Sequence, residues 1–224
     1  MHLGIVGGTG SHGSWLALRW ARAGHAIAIG SRDPAKARRR AAELGSIAGS
    51  TIEGGDNAWA ARMGDVVILT VPYEAHADTL RAIKDCVFQK VLIDVTVPLK
   101  PPKVGRVHLP DGKAAALEAS ALLGESTAVA AALHHVSASH LADPTHAIEC
   151  DVLVAADDPR AKATALDLVR DLGLRGLDAG PLANAIALEA LTPVLIHLNR
   201  VYKSEEGAGI VFTDLPKAPR PRSP

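Results

Sequence analysis

The feature that most constrains the fold of this chain is a glycine-rich turn near its start. The apolar run HLGIVG (residues 2–7) predicts a β-strand, and the pattern that follows predicts a helix from Gly13 to Gly24. The turn between them, Gly8-Thr9-Gly10-Ser11-His12-Gly13, has the spacing G-x-G-x-x-G. In a βαβ unit such glycines allow a tight turn, the approach of a pyrophosphate and close packing of the helix on the strand. The turn therefore predicts a dinucleotide site, the alternative being a turn that only reverses the chain.

Apolar runs and helical patterns alternate along most of the chain. The predicted strands are residues 2–7, 26–30, 65–72, 90–98, 127–133, 151–156 and 175–180. The predicted helices are residues 13–24, a helix that begins at Asp33-Pro34, and residues 74–86, 112–123, 159–172 and 182–202. This alternation predicts an α/β fold, a Rossmann-type doubly wound parallel sheet with a small C-terminal extension that ends in a long helix. Residues 1–212 are expected to form one domain, and residues 213–224 a disordered tail.

Composition excludes several classes of protein. The chain has 24 basic and 24 acidic residues, so nothing predicts bulk attraction to nucleic acid or to an anionic membrane. Its two cysteines, Cys86 and Cys150, are too few and too far apart for a disulfide framework. Because Met1 leads directly into a strand, we expect no secretory signal and a cytoplasmic location.

The end of the second predicted strand indicates which dinucleotide the site prefers. An acidic residue at this place binds the ribose hydroxyls of NAD, whereas an arginine accommodates the 2′-phosphate of NADP. Here the strand ends in Ser31-Arg32, with Lys36 one helical turn further on, and Asp33 is expected to cap the helix. The sequence therefore predicts NADP, the alternative being a basic helix face that only contacts water.

Over Leu3 to Phe212 the chain resembles the NADPH-dependent F420 reductases, also called F420-dependent NADP oxidoreductases. The segments that carry the resemblance are GGTG, LALRWARAGH, GSRDPAKA, LTVP, DVTVPLKPPKVGRV, ALHHVSA, CDVLVAADD, LDAGPLANA and EALTPVLIHLNRVYK. The resemblance implies hydride transfer between NADP and the deazaflavin coenzyme F420, with no metal. It also implies that the C-terminal extension helps to form the deazaflavin site, and that the protein is a homodimer joined through its C-terminal helix.

The resemblance also implies which residues meet the cofactors. The implied cofactor-binding residues are Gly8, Thr9, Gly10, Ser11, His12, Gly13, Ser31, Arg32, Lys36, Val71, Pro72, Tyr73, Val136, Ala138, Gly207 and Ala208. His134 is the candidate catalytic residue, as the group that positions or polarises the deazaflavin ring, and the alternative is a histidine that only supports the scaffold. Trp15 departs from the family pattern, which leads us to expect glycine there, and its ring would narrow the cleft if it faced it.

Three other interpretations stay open at the level of sequence. His134, His135, His140, His146 and Cys150 lie within seventeen residues, but their spacing matches no common zinc pattern, so no metal is predicted. Thr192 is expected to bond back to its own helix, or else to reach the deazaflavin. The competing functions are an NADP-dependent imine or hydroxy-acid reductase and a non-catalytic NADP sensor. A reductase of that kind needs a large helical second domain, for which the forty residues after LDAG leave little room.

Overall fold

An eight-stranded sheet forms the centre of the protein. A computed structural model describes residues 1–143, 147–204 and 207–215. The strands are β1 His2–Val6, β2 Ala26–Ser31, β3 Ile52–Asp56, β4 Val66–Leu69, β5 Val91–Asp94, β6 Ala128–Ala131, β7 Asp151–Ala156 and β8 Arg175–Asp178. The helices are α1 Ser11–Arg22, α2 Pro34–Ala48, α3 Asn57–Met63, α4 Tyr73–Ile83, α5 Ala115–Leu123, α6 Ala138–Ala142, α7 Pro159–Asp171 and α8 Ala185–Tyr202. The strand order is β3-β2-β1-β4-β5-β6-β7-β8.

Helices cover both faces of this sheet, because consecutive strand residues point to opposite sides. In β4, Val66 and Ile68 join a core with α1, α2, α6 and α7, whereas Val67 and Leu69 join a second core with α3, α4, α5 and the start of α8. Burial on both faces explains why the strands are continuous apolar runs in the sequence. The predicted doubly wound α/β fold is therefore confirmed.

Three elements escaped the sequence prediction, namely β3, α3 and the five-residue helix α6. The strand β3 reads IEGGD, and glycine and aspartate are depleted in strands. Its glycines serve packing, because a Cβ on Gly54 would lie 2.5 Å from the backbone carbon of Ala37 in α2, and one on Gly55 would collide with the indole of Trp59. Close contact between helix and strand therefore requires glycine at these two positions. Because glycine has a low strand propensity, the residue pattern does not predict β3.

One strand pairing departs from the predicted parallel sheet. β7 pairs antiparallel with β6, and β8 then pairs parallel with β7. The chain leaves β6 through Leu133, whose φ of 65° lies in the left-handed region. In the described part of the connection to β7 the one helix is α6, which is only five residues long. A parallel pairing usually needs a longer crossover helix, and among the described residues of this connection α6 is too short to serve as one.

The last predicted helix is split into two parts. A short 3-10 turn, Leu182–Asn184, precedes α8. Together these residues are long and apolar enough to cross a membrane, yet only a third of the most apolar stretch is buried in the protein. Exposed apolar side chains include Val194, Val201 and Tyr202. The helix thus presents apolar side chains that the described residues of the chain leave exposed.

Candidate functional site

A cavity of about 750 Å³ lies at the carboxyl ends of the central strands. The strand order reverses here, since β1 is flanked by β2 on one side and by β4 on the other, and this is where open α/β sheets bind ligands. The residues that line it are Gly7, Thr9, Gly10, Ser11, His12, Ser31, Arg32, Lys36, Asn57, Thr70, Val71, Pro72, Glu74, Ala75, Asp78, Thr79, Val95, Thr96, Val97, Leu99 and His134.

The glycine-rich turn brings bare backbone to the floor of this cavity. Gly7, not Gly8, is the residue that turns the chain, with a left-handed φ of 78°. A Cβ on Gly8 would lie 2.8 Å from the Cβ of Ile29, and one on Gly13 would lie 2.5 Å from Oγ1 of Thr70. These two glycines therefore let the turn pack against β2 and the end of β4, and the positive φ falls one residue before the G-x-G-x-x-G pattern.

The start of α1 is open toward the cavity. The helix begins at Ser11 with Gly10 as its N-cap, and no side chain caps it. The first turn of an α-helix has N–H groups without partners in the helix, and its dipole favours negative charge. A Cβ on Gly10 would have its nearest neighbour at 3.6 Å, so this side of the turn is not filled by protein. The arrangement suits an anion such as a pyrophosphate.

The end of β2 supplies a hydroxyl and two cations to the same cavity. Ser31 is buried, and its Oγ lies 3.5 Å from Oγ1 of Thr9. Neither Arg32 nor Lys36 forms an ion pair within the described residues. Asp33 caps α2 as predicted, and its Oδ1 accepts the N–H groups of Ala35 and Lys36. Those backbone bonds, that of Lys36 first, hold the pKa of Asp33 below its ordinary value, so this carboxylate is already engaged.

His134 lies at the other end of the cavity. Its side chain is 4% exposed, and neither ring nitrogen makes a hydrogen bond of normal geometry in the part of the chain that the structure describes, although the backbone of Asp94 interacts weakly with the ring. Burial lowers its pKa to about 3, and burial also lowers the pKa of His12, nearby on α1, to about 4. Both imidazoles are therefore neutral at physiological pH. A buried neutral imidazole without a partner is poised to bond a ligand rather than to carry charge.

Two neighbours of His134 have structural partners. His135 Nε2 lies 2.7 Å from the backbone oxygen of Asp151, which ties the loop to β7. Thr192 donates from its hydroxyl to the backbone oxygen of His134 at 2.8 Å, so the expectation that it bonds back to α8 was wrong. Within the described ranges no three histidine, cysteine or acidic side chains form a metal-binding group, and His146 lies outside those ranges.

Seven predicted cofactor-binding residues do not line the cavity, namely Gly8, Gly13, Tyr73, Val136, Ala138, Gly207 and Ala208. Tyr73 donates its hydroxyl to Oε2 of Glu118 at 2.9 Å, and Val136 is buried in the core on the α1 side of the sheet. Ala138 is the first residue of α6. Cofactor contact by these residues remains a prediction.

Gly207 and Ala208, two of the predicted cofactor-binding residues, belong to a turn after α8 that lies next to the His134 loop. A Cβ on Gly207 would lie 2.7 Å from Oγ of Ser137, and the Ala208 N–H donates to Oδ1 of Asn199 at 2.7 Å. Asn199 therefore holds this turn against the last part of α8, beside the loop that carries His134. Contact between this turn and the deazaflavin remains a prediction.

Three further side chains shape the cavity and were not predicted from the sequence: Asn57 lines it, whereas His76 and Asp94 do not. Oδ1 of Asn57 accepts the Gly7 N–H at 3.2 Å, which fixes the turn. Buried His76 and Asp94 are 2.7 Å apart, and Asp94 also accepts the N–H of Thr96 in the cavity wall. Burial alone would lower the pKa of His76, but the Asp94 carboxylate raises it above the ordinary value. One signal in the sequence could have indicated that His76 is buried. It lies four residues before Leu80, which places both side chains on one face of α4.

A carboxyl group from α8 caps α5. Glu189 is 2% exposed and accepts the N–H groups of Ala115 and Ala116 at 2.7 and 3.0 Å. Burial raises its pKa to about 8. Glu189 therefore has a structural partner and does not line the cavity.

Trp15 does not narrow the cleft. The guanidinium carbon of Arg40 lies 5.0 Å from the centre of its ring, and the ring packs against the core on the α1 side of the sheet. Arg40 is held in turn by the hydroxyl of Ser14, at 3.1 Å. Trp15, the residue that departs from the family pattern, thus packs between α1 and α2 and does not line the cavity.

Comparison with known proteins fits this geometry. The family described as NADP oxidoreductase, coenzyme F420-dependent, matches residues 2–98. The F420-dependent NADP reductase of Methanothermobacter thermautotrophicus is 42% identical over 97% of this chain and 97% of its own. A solved structure from Arthrobacter sp. FB24 shares the fold, with a TM-score of 0.77, 24% identity and coverage of 92% of this chain and 96% of that one.

A more distant likeness concerns the competing function. The Streptomyces aurantiacus imine reductase has a TM-score of 0.57 and 17% identity, and the match covers 91% of this chain but only 62% of that one. The likeness is therefore one of fold, and more than a third of the imine reductase has no counterpart here. Near-complete coverage at 42% identity, by contrast, places this chain in the family of F420-dependent NADP reductases.

Proposed function

We propose that this protein transfers a hydride between NADP(H) and the deazaflavin coenzyme F420. One observation carries the proposal: within the described residues, a single cavity has cations without ion pairs at one end and a buried, neutral imidazole without a hydrogen-bond partner at the other. The first suits the extra phosphate of NADP, and the second suits a ring with polar edge atoms. The family to which the chain belongs supports the same pair of substrates.

The NADP end of the cavity acts through fixed donors. The open first turn of α1 would receive the pyrophosphate, and the hydroxyl of Ser31 with the cations of Arg32 and Lys36 would surround the 2′-phosphate. Asp33 accepts hydrogen bonds from the N–H groups of its own helix, and the acidic residues that line the cavity, Glu74 and Asp78, belong to α4. This part of the site therefore binds and selects the dinucleotide but takes no part in the chemistry.

The other end of the cavity orients the reacting rings. The two coenzymes, when bound, supply hydride chemistry that needs no protein nucleophile. The buried side chains of Val71 and Val95 line the space next to His134 and keep water away from it. His134 would position the deazaflavin ring by a hydrogen bond, held in place through the bond from Thr192 to its backbone oxygen. Holding two reactants in register can lower a barrier by about 7–11 kcal/mol.

The test is a purified-protein assay with NADPH and F420, followed by loss of the deazaflavin absorbance. We expect turnover with F420, and no comparable oxidation of NADPH by small cyclic imines or 2-oxo acids. Turnover with the imine alone would favour the imine reductase alternative. Tight NADPH binding with no turnover on any acceptor would favour the sensor.

We further propose that a second copy of the chain covers the outer face of α8, and that the protein acts in the cytoplasm. The exposed Val194, Val201 and Tyr202 support a homodimer, because exposed apolar patches on soluble proteins often mark interfaces. The balanced charge of the chain gives no bulk attraction to an anionic membrane, which supports the cytoplasmic location. Val201→Asp should convert a dimer into a monomer in light scattering, and a monomeric wild type would refute the dimer.

A further inference from the structure

A second cavity lies on the proline-rich loop that follows β5. Its volume is about 350 Å³. Two prolines and a valine line it, together with Lys100, Lys103, Arg106 and His108. We name it the basic pocket. Because proline fixes φ, this part of the loop has fewer conformations to lose when it binds a ligand.

The charge of the basic pocket is not balanced by acidic groups. No aspartate or glutamate lines it, and its lysines and arginine form no ion pair in the portion of the chain that the structure describes. Helix α8 adds two more basic side chains. A Cβ placed on Gly105 would lie 3.8 Å from the Cβ of His197 and 3.8 Å from Nη1 of Arg200. Lysine and arginine side chains on two elements, none of them in an ion pair with a described residue, indicate a surface that attracts an extended anion.

The basic pocket and the active-site cavity are lined by consecutive residues of the chain. Leu99 lines the active-site cavity, and the next residue, Lys100, lines the basic pocket. Helix α8 makes a second link, because Thr192 bonds the His134 backbone and Arg200 lies eight residues further along. At 1.5 Å per residue that separation is about 12 Å. A ligand whose ring lies beside His134 therefore needs only a short chain to reach the basic pocket.

We propose that the basic pocket binds the anionic side chain of the deazaflavin substrate, the phosphodiester and the glutamyl carboxylates that follow its ribityl group. The proposal rests on the proposed function and adds a subsite to it. The pocket lies on the His134 side of the cavity, whereas Arg32 and Lys36 lie at the opposite, dinucleotide end. The cations are spread along a loop and a helix, an arrangement that suits several successive negative groups better than a single small ion.

The test compares two acceptors that share the same ring. One is F420 with its glutamyl side chain, and the other is the deazariboflavin core, which ends at the ribityl hydroxyl and has no phosphate. The test variant is Lys100→Gln, Lys103→Gln, Arg106→Gln. The matched control is Arg160→Gln, Lys162→Gln, Arg170→Gln, which removes three charges from α7, outside both cavities.

We expect the test variant to raise KM for F420 by about tenfold or more and to leave KM for the core within about twofold. The control variant should change neither value by more than about twofold. A thermal melt of each variant checks folding. As a measurement free of mutation, raising ionic strength from about 0.02 M to about 0.5 M should raise the wild-type KM for F420 and not that for the core.

The outcomes separate this inference from the proposed function. Equal KM values for F420 and the core in the wild type would overturn the basic pocket as a side-chain site, while turnover itself would still support hydride transfer to deazaflavins. An equal loss with both acceptors in the test variant would also overturn it. Absence of turnover with either acceptor would refute the proposed function itself.

Discussion

Removal of the Arg32 side chain tests whether the basic end of the cavity selects NADP. Arg32 forms no ion pair with a described residue, so Arg32→Ala breaks no protein contact of that kind and its effect reports on the ligand. A hydrogen bond to a charged group contributes about 1.5–3 kcal/mol. Because Arg32 is exposed, screening by water and salt favours the lower end of that range.

The lower bound of about 1.5 kcal/mol corresponds to roughly a tenfold change in an equilibrium constant. We therefore expect Arg32→Ala to raise KM for NADPH about tenfold at low salt and to leave KM for NADH within about twofold. Lys36→Ala should have a smaller effect of the same kind, about threefold, because an ammonium group makes no bidentate contact. The effect of Arg32→Ala should shrink as ionic strength rises.

The assay measures initial rates of F420 reduction with each dinucleotide in turn. Arg170→Ala is the control, since this residue forms a surface ion pair with Asp167 on α7 and lies outside the cavity. A rise in KM of equal size for NADPH and NADH would mean that Arg32 does not meet the 2′-phosphate. Unchanged kinetics with both dinucleotides would refute the assignment of this end of the cavity.

Three further predictions concern the turn, the two histidines and the buried carboxyl. Gly10→Ala should keep the wild-type melting temperature yet weaken NADPH binding in calorimetry, because the added Cβ fits the free protein but not a bound pyrophosphate. Gly13→Ala should instead lower the melting temperature, because the added Cβ would lie 2.5 Å from a threonine oxygen. His134→Ala should lower kcat with little loss of stability, since its ring nitrogens have no partner to lose, and His135→Ala should lower the melting temperature because it breaks a bond to the backbone. The pKa of Glu189 is about 8 in the folded state against an ordinary 4.5, so the folded state keeps a proton that the unfolded chain releases. The free energy of unfolding should therefore fall as pH rises from about 4.5 to about 8. Glu189→Gln should flatten that fall in urea titrations.

Each of these expectations has a contrary result. Equal melting temperatures for the two glycine variants would mean that the turn is looser than its contacts indicate. A large loss of stability in His134→Ala would make that residue a scaffold histidine. A wild-type free energy of unfolding that rises through the same pH range would show that the carboxyl near α5 is ionised in the folded state.

The sequence predicted the parts of this fold whose residue pattern reports local structure. The middle of the glycine turn, residues 9–12, lines one cavity together with Ser31, Arg32 and Lys36, because a strand followed by a helix at this spacing admits few geometries. The Asp33-Pro34 cap is equally local. The boundaries of α1 differed by two residues, since the end of a helix depends on caps rather than on periodicity.

Long-range contacts account for what the sequence did not predict. The role of Glu189 depends on α5, more than seventy residues earlier, and that of Thr192 depends on the His134 loop. His134 and His135 are adjacent and chemically identical, and only the partner oxygen on β7 distinguishes them. The antiparallel direction of β7 depends on its pairing with β6, a long-range contact that periodicity does not report.

The central claim is that one cavity holds both coenzymes so that hydride passes directly between them. The most direct measurement follows a single turnover with NADPH deuterated on one face of the nicotinamide ring, in ordinary water, and determines by mass spectrometry the deuterium content of the reduced deazaflavin. The account predicts that deuterium on one of the two faces is transferred in full and that on the other is retained by the dinucleotide. Reduced deazaflavin without deuterium from either labelled NADPH would contradict it.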